Sequence, residues 1–390
     1  LPAYAVAQTE IGLAKEVTRG TPVAPAYWAK VKAPKFKPSL TVIEDDTLQG
    51  SMVSVYDQTP GMRYDSHGWD GYPHLDIFPL YLLAELGSTD TVSTAPTNTT
   101  LSSSAAAGAT TISTAATVAA NSWIKIGSGA TQETHYTTAV SGSGPYTVTL
   151  QYALQYAQSN GATVTGLTGH SFSLLNNAGT GNQPPSLTIT DYDGEEWRQL
   201  AAAQLDKLTI KGTNAGYVDF SASFFANPSI TPSSPTPSFS SVSAPPAWTT
   251  LISIGGSAIT YVEDWEIDLG RGVKPIPALT GTQAYYQYFA GPLTATAKIT
   301  VVEQSGAPEL TKYLAGTKSA LDISLYDVNN GYGMRIHTTS SAFKTGELVR
   351  GKEWVEATLD VQLLPTATDA QAGGVSPIVV SVGNGTTTAY

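Results

Sequence analysis

Three carboxylates alternate along residues 261–269. Asp264, Glu266 and Asp268 share one face of an extended chain, and Trp265, Ile267 and Leu269 share the other. Residues 354–364 repeat the design, with Glu356, Asp360 and Gln362 opposite Val355, Ala357, Leu359, Val361 and Leu363, and Asp206 is a further acid that could join them. Two acids beside aromatic platforms would suit glycoside hydrolysis, in which one protonates the leaving oxygen while the other attacks or activates water. Three acids in a row on one face repel one another, however, and no nearby His or Lys is arranged to set their proton affinities apart. The economical reading is an acidic stripe facing solvent or a water-filled channel; the plainer alternative is the wet face of an ordinary half-buried sheet.

Other chemistry is sparse. His67, His74, His135, His170 and His337 show no i, i+4 spacing around an acid and no metal-ligand spacing, so they read as core or surface histidines. Asp191-Tyr-Asp193-Gly-Glu195-Glu196 resembles a calcium loop but lacks the alternating oxygen ligands and the terminal bidentate Glu, which favours a solvated turn. The chain has no G-x-S-x-G elbow, no phosphate-binding G-x-x-x-x-G-K-[ST] loop and no strand-linked G-x-G-x-x-G. With no cysteine in 390 residues, thiol catalysis and Cys-ligated metals are excluded. No metal or cofactor is expected.

The elements that must carry these residues are strands. Charged residues make up only 13% of the chain, about half the usual share, and Thr, Ser, Ala and Gly take their place. Such a composition predicts an all-β protein with many turns. Residues 40–55 read as strand, turn, strand around Glu44-Asp45-Asp46. Residues 73–87 form the best helix, kinked or started late by Pro79 and ended by Gly87. Residues 204–211, 216–226, 261–269, 294–303, 320–326, 333–338 and 354–364 read as strands, and 307–314 as a short helix closed by Gly316.

Between residues 91 and 168 the composition shifts to Ala, Thr, Ser and Gly, with Lys125 and Glu133 the only Lys, Arg, Asp or Glu beyond Asp90 up to that point. Strands at 109–113, 123–127, 131–140, 146–150 and 162–164 make this stretch a small β-module inserted in a larger domain. The expected division is 1–90 and 169–365 as the frame, 91–168 as the insert and 366–390 as a C-terminal arm. The arm has no pattern of its own and is expected to be disordered or to order on a neighbour. Residues 227–246 form an extended Pro/Ser loop. The net charge of −11 leaves no basic footprint for gripping nucleic acid, nothing is long and apolar enough to span a membrane, and residues 1–16 lack the pattern of a signal peptide.

The order of segments resembles a siphophage tail tube protein. IGLAKEVTRGTPVAPAYW (11–28), LTVIEDDTLQGS (40–51), RYDSHGWDGYP (63–73) and LLAELG (82–87) carry the first half of the likeness. PSLTITDYDGEEWRQLAAAQLDKLTIKG (185–212), ISIGGSAITYVEDWEIDLGR (252–271) and LTGTQAYYQYFAGPLTATAKITV (279–301) carry the second. The insert is similar to a small β-module found in many phage virion proteins, and its place after the helix departs from a plain tube protein. The resemblance implies a β-sandwich or half-barrel protomer with a flanking helix. Such protomers form hexameric rings that stack into a tube, with the insert outside. Implied partners are further copies of itself, the tape measure, tail terminator and distal tail proteins, and DNA that passes through the lumen without specific binding. It also implies assembly in the host cytoplasm, a place in the virion tail and no catalysis. Asp264, Glu266, Asp268, Asp206, Glu356 and Asp360 are then candidates to line the lumen. A competing reading is a secreted or surface adhesin whose insert binds glycan through Trp123, His135 and Tyr136; a third is a polysaccharide-degrading enzyme built on the clustered acids.

Overall fold

The computed structural model describes residues 5–390 other than 88, 177, 178, 180, 307, 351, 352 and 372. The protein is all-β, built of antiparallel layers around one large core; of the two α-helices among the described residues, Pro79–Leu86 is buried against that core and Pro308–Leu314 lies mostly at the surface. The first layer runs, strand beside strand, Val31–Asp45, Asp57–Gly71, Asp219–Ala226, Trp197–Thr213, Val262–Gly270, Thr294–Val302, Glu356–Leu363 and the second half of Gly333–Val349. The first half of Gly333–Val349 belongs to the second layer, between Val379–Asn384 and Ser319–Tyr326. That layer continues to Thr163–Ser173 on one side and Leu251–Ile254 on the other. Inward side chains of both layers, such as Ile267, Ile299 and Leu359 from the first and Ile323, Ile336 and Val380 from the second, belong to one hydrophobic cluster.

The helix spans Pro79–Leu86, shorter than the 73–87 read from sequence. Pro79 sits where a helix has no N–H to satisfy, and Gly87 ends it with a left-handed φ of 78°. All eight of its residues are buried, which suits a helix lodged inside a fold. Tyr81 packs on Phe220 at 5.0 Å between ring centroids and accepts a 3.0 Å hydrogen bond from the Trp69 indole.

Two differences from the sequence reading have local causes. The strand–turn–strand at 40–55 is the outer part of a longer hairpin, Val31–Asp45 with Asp57–Gly71, closed by residues 46–56. Pro34 and Pro38 mask the first strand in sequence, yet proline is compatible with a strand whose outer edge is unpaired. The tail beyond 365 is neither disordered nor free: Val379–Asn384 pairs with strands on both sides, and Tyr390 is buried, its hydroxyl donating to Asp76 O at 2.7 Å. The strand was hidden because its apolar alternation (Ile378, Val380, Val382) is short and flanked by Gly, Ser and Thr.

The inserted stretch has its own core, including Leu101, Ile112, Ile124, Ile126, Val148 and Val164. Its last strand does not stop at 164 but runs as Thr163–Ser173 into the second layer of the frame.

Candidate functional site

The outer face of the first layer carries most of the candidate acids. Along Val262–Gly270, Trp265, Ile267 and Leu269 are buried, and Asp264, Glu266 and Asp268 alternate with them on the wet side. Strand register then decides what stands beside each acid. Asp360 lies opposite Lys298, Lys298 opposite Glu266, Glu266 opposite Lys211 and Lys211 opposite Asp219. Asp219 in turn pairs with Lys32 at 3.0 Å. The sign of charge alternates at every step across the layer. Asp268 pairs with Lys207 at 3.1 Å, and Asp360 accepts a 2.6 Å hydrogen bond from Thr345. The acidic stripe expected from single strands is therefore a charge ladder, because neighbouring strands bring lysines that no single strand displays. Carboxylates Asp70, Asp219, Asp264, Glu266, Asp268 and Asp360 only slightly outnumber lysines Lys32, Lys35, Lys207, Lys211 and Lys298.

Two candidates are held by local contacts, Asp206 at a bulge and Glu356 on this same side of its strand but buried. Asp206 sits at the bulge in Trp197–Thr213 and accepts a 2.6 Å hydrogen bond from the Val273 N–H, holding the loop after Gly270. Burial pushes its pKa up, against that hydrogen bond and the charge of Lys207. Glu356 is buried at the end of its strand, where its carboxylate accepts a 3.0 Å hydrogen bond from the Trp354 indole. Both act as structural anchors.

The 191–196 segment forms the turn between Leu187–Tyr192 and Trp197–Thr213. Asp193 accepts from the N–H groups of Glu195 and Glu196, each at 3.0 Å, and pairs with Arg198, while buried Asp191 faces His67 at 3.1 Å. Among the described residues no group of three or more His, Cys, Asp or Glu side chains is placed to hold a metal ion. No helix among them is long and apolar enough to cross a membrane.

The glycan platform suggested by Trp123, His135 and Tyr136 is corrected by the burial of the first two and by what covers the third. Trp123 is 2% exposed, its indole donates to Ser381 Oγ at 2.9 Å, and its ring lies against Gly333 and Gly383, where any Cβ would come within 2.4 Å and 2.3 Å. Buried His135 pairs with Glu133 at 2.9 Å, and the Tyr136 ring is covered by the Arg335 guanidinium at 4.7 Å. Tyr152 donates to Asp322, which also binds His337 at 2.9 Å. These residues clamp the insert onto the outer side of the second layer, where Asp322, Arg335, His337 and Ser381 stand. Asp322 stays below the ordinary carboxylate range because His337 and Arg335 outweigh the opposing effect of its burial. Sequence reasoning missed this clamp; the clue was Gly333 and Gly383 interrupting apolar strands.

The first layer is open at both ends. Among the described residues, Val31–Asp45 pairs only with Asp57–Gly71, and the 342–349 part of Gly333–Val349 only with Glu356–Leu363. Open edges of this kind are templates for pairing with another chain. No curated protein matches this sequence. The family described as Phage tail tube protein matches residues 6–363, nearly the whole chain. With that match over an all-β sandwich whose first layer ends in unpaired edges, the chain belongs to the phage tail tube protein family and has a structural role in the virion tail.

Proposed function

We propose that copies of this chain join edge to edge into hexameric rings, and that the rings stack into the conduit through which DNA leaves the phage. The observation that carries this reading is the pair of unpaired edges bounding a layer whose outer face is wet and laddered with charge. Joining the edges of successive copies extends the layer into a closed barrel, which removes exposed edges altogether. We place the ladder face toward the lumen. There Asp264, Glu266, Asp268 and Asp360 alternate with lysines, so the wall offers phosphate no concentrated positive patch and does not grip the DNA. The insert (91–168) is fastened to the opposite layer, which would put it on the outside of the tube. Tape measure, terminator and distal tail proteins are the partners such a tube requires at its core and ends, assembly taking place in the host cytoplasm. Nothing in this role calls for catalysis.

Negative-stain electron microscopy of the purified protein over a range of concentrations tests the reading. Rings or hollow tubes with a lumen of about 20 Å or more, enough for duplex DNA by its groove dimensions, are expected. Particles that remain single at every concentration, even when short tube seeds are supplied, would count against it.

A further inference from the structure

Beyond Asn384 the chain leaves the second layer and crosses the root of the insert. Among the described residues it makes no main-chain to main-chain hydrogen bond there. Gly385 and residues 387–389 are exposed, and Thr386 and Tyr390 make the contacts that hold the segment down. The Tyr390 side chain is buried; its hydroxyl donates to Asp76 O and accepts a 3.0 Å hydrogen bond from Asn384 Nδ2. Its ring meets Tyr27 at 5.7 Å and the His170 imidazole edge-on at 5.0 Å.

His170 is the hub of these contacts. It lies on Thr163–Ser173, the strand that leaves the insert, and is fully buried. Its Nδ1 is 2.8 Å from a carboxylate oxygen of Asp90, the residue before the strand that enters the insert, Thr91–Ser93. Its Nε2 is 2.9 Å from the Thr386 carbonyl. The Tyr390 N–H donates to the same Asp90 oxygen at 3.1 Å. With His170 opposite Val92 in the sheet, one ring ties the entering strand, the leaving strand and the tail together. A carbonyl cannot donate, and neither can an ionised carboxylate, so the imidazole makes both bonds only when each nitrogen carries a proton. A neutral ring has one proton to give and must forgo either Asp90 or Thr386.

The charged and titratable groups facing this knot come from several elements. They are Asp90, Asp76 from the turn before the helix, Lys15, whose Nζ donates to the Tyr390 main-chain oxygen, and the phenols of Tyr27, Tyr332 and Tyr390. Burial, reinforced by Asp76, holds all three phenols above the usual tyrosine range, so none of them gains a charge near neutrality. Histidine is the side chain suited to change charge there.

We propose that residues 385–390 are a strap over the root of the insert, shut while His170 donates from both nitrogens and released when the ring loses a proton as pH rises. The cationic ring is bonded twice in the closed form and loses the Thr386 bond in the open one, so closure is complete on the acid side of the transition and lost on the alkaline side. Release breaks no hydrogen bond of the sheet, which makes it a local opening and not an unfolding. It leaves Asp90 without the Tyr390 N–H and weakens its tie to His170. The short pairing of Thr91–Ser93 with 169–171 then loses its fastening.

Hydrogen exchange of the full chain, read by mass spectrometry over a pH series and corrected for the intrinsic pH dependence of exchange, tests this. From about pH 5 to about pH 9, which spans the charge change of histidine, protection in 385–390 and in 91–93 is expected to fall together. The fall should be about tenfold or more, as for the loss of a charge-assisted hydrogen bond. Residues 79–86, in the core, should not respond. Asp90→Asn should move the fall to lower pH by about one unit or more, because no neighbouring carboxylate then favours the cation. His170→Asn should abolish the response; if that variant does not fold, the unaltered chain and Asp90→Asn still decide. Protection of the strap that stays flat across the series would overturn the proposal. A fall in the strap that leaves 91–93 unchanged would do the same, since the strap would not be what fastens the insert. A fall shared by 79–86 would be unfolding of the whole and would also end it.

Discussion

Glu266 stands between Lys211 and Lys298 on the two strands beside it, and Lys298 in turn stands between Glu266 and Asp360. Exposed pairs of this kind contribute little each, so Lys298→Glu, which sets three like charges in a row, should destabilise the monomer by about 1 kcal/mol or less. The shift of the urea midpoint at constant slope measures it. Glu85 presents the opposite case, a carboxyl in the core without hydrogen bonds. Burial drives its pKa well up, against the pull of Arg271. A group with a raised folded pKa favours folding only while protonated, so its contribution is complete below the unfolded value of about 4.3 and is lost progressively from there up through the raised folded pKa. Glu85→Gln should therefore raise the melting temperature at pH 7 and make little difference near pH 4. An equal gain at both pH values would show that ionisation is not the cost.

The insert and the frame are joined at the level of elements. Trp123 enters the second layer where Gly333 and Gly383 leave room for its ring. Trp123→Ala should cost about 3–5 kcal/mol, as for other buried large aromatics. Gly383→Ala should also destabilise, since the added methyl would meet the indole at 2.3 Å. Denaturant unfolding of both variants checks the joint, and tolerance of both would contradict it. Asp322, beside the same joint, responds to acid. Its folded pKa lies below the ordinary value, so its contribution is complete at neutral pH and fades as pH falls through about 4 and below. Amide hydrogen exchange in the insert should rise in that window, and Asp322→Asn should weaken the joint at neutral pH and flatten the response. The helix end at Gly87 and most frame strands were legible because capping and period-2 alternation are local signals. Val379–Asn384 was not, because six residues among Gly, Ser and Thr declare themselves a strand only when two other strands flank them.

For the whole molecule, the open edges are the feature that most constrains its behaviour. An isolated sandwich with both ends of a layer unpaired invites aggregation unless copies pair in a closed figure. Leu348 lies on the 342–349 edge and is exposed. Leu348→Lys should leave monomer stability within about 0.5 kcal/mol of the parent, as surface changes usually do, while discouraging strand addition. Sedimentation velocity should then show single chains under conditions in which the unaltered chain gives the proposed rings. Rings at unchanged concentration would mean that this edge is not a joint.

The sequence by itself determined the all-β class, the burial of one face of each strand, the end of the helix at Gly87 and the change of character at residue 91. Each of these depends on residues within a few positions of one another. Tertiary structure alone decided that the acids of 261–269 stand opposite lysines, that Trp123 is a clamp and not a platform, and that Asp206 and Glu356 are anchors. Cross-strand neighbours and buried contacts are set by the register and stacking of segments far apart in the chain, and no local pattern encodes which lysine will meet which carboxylate.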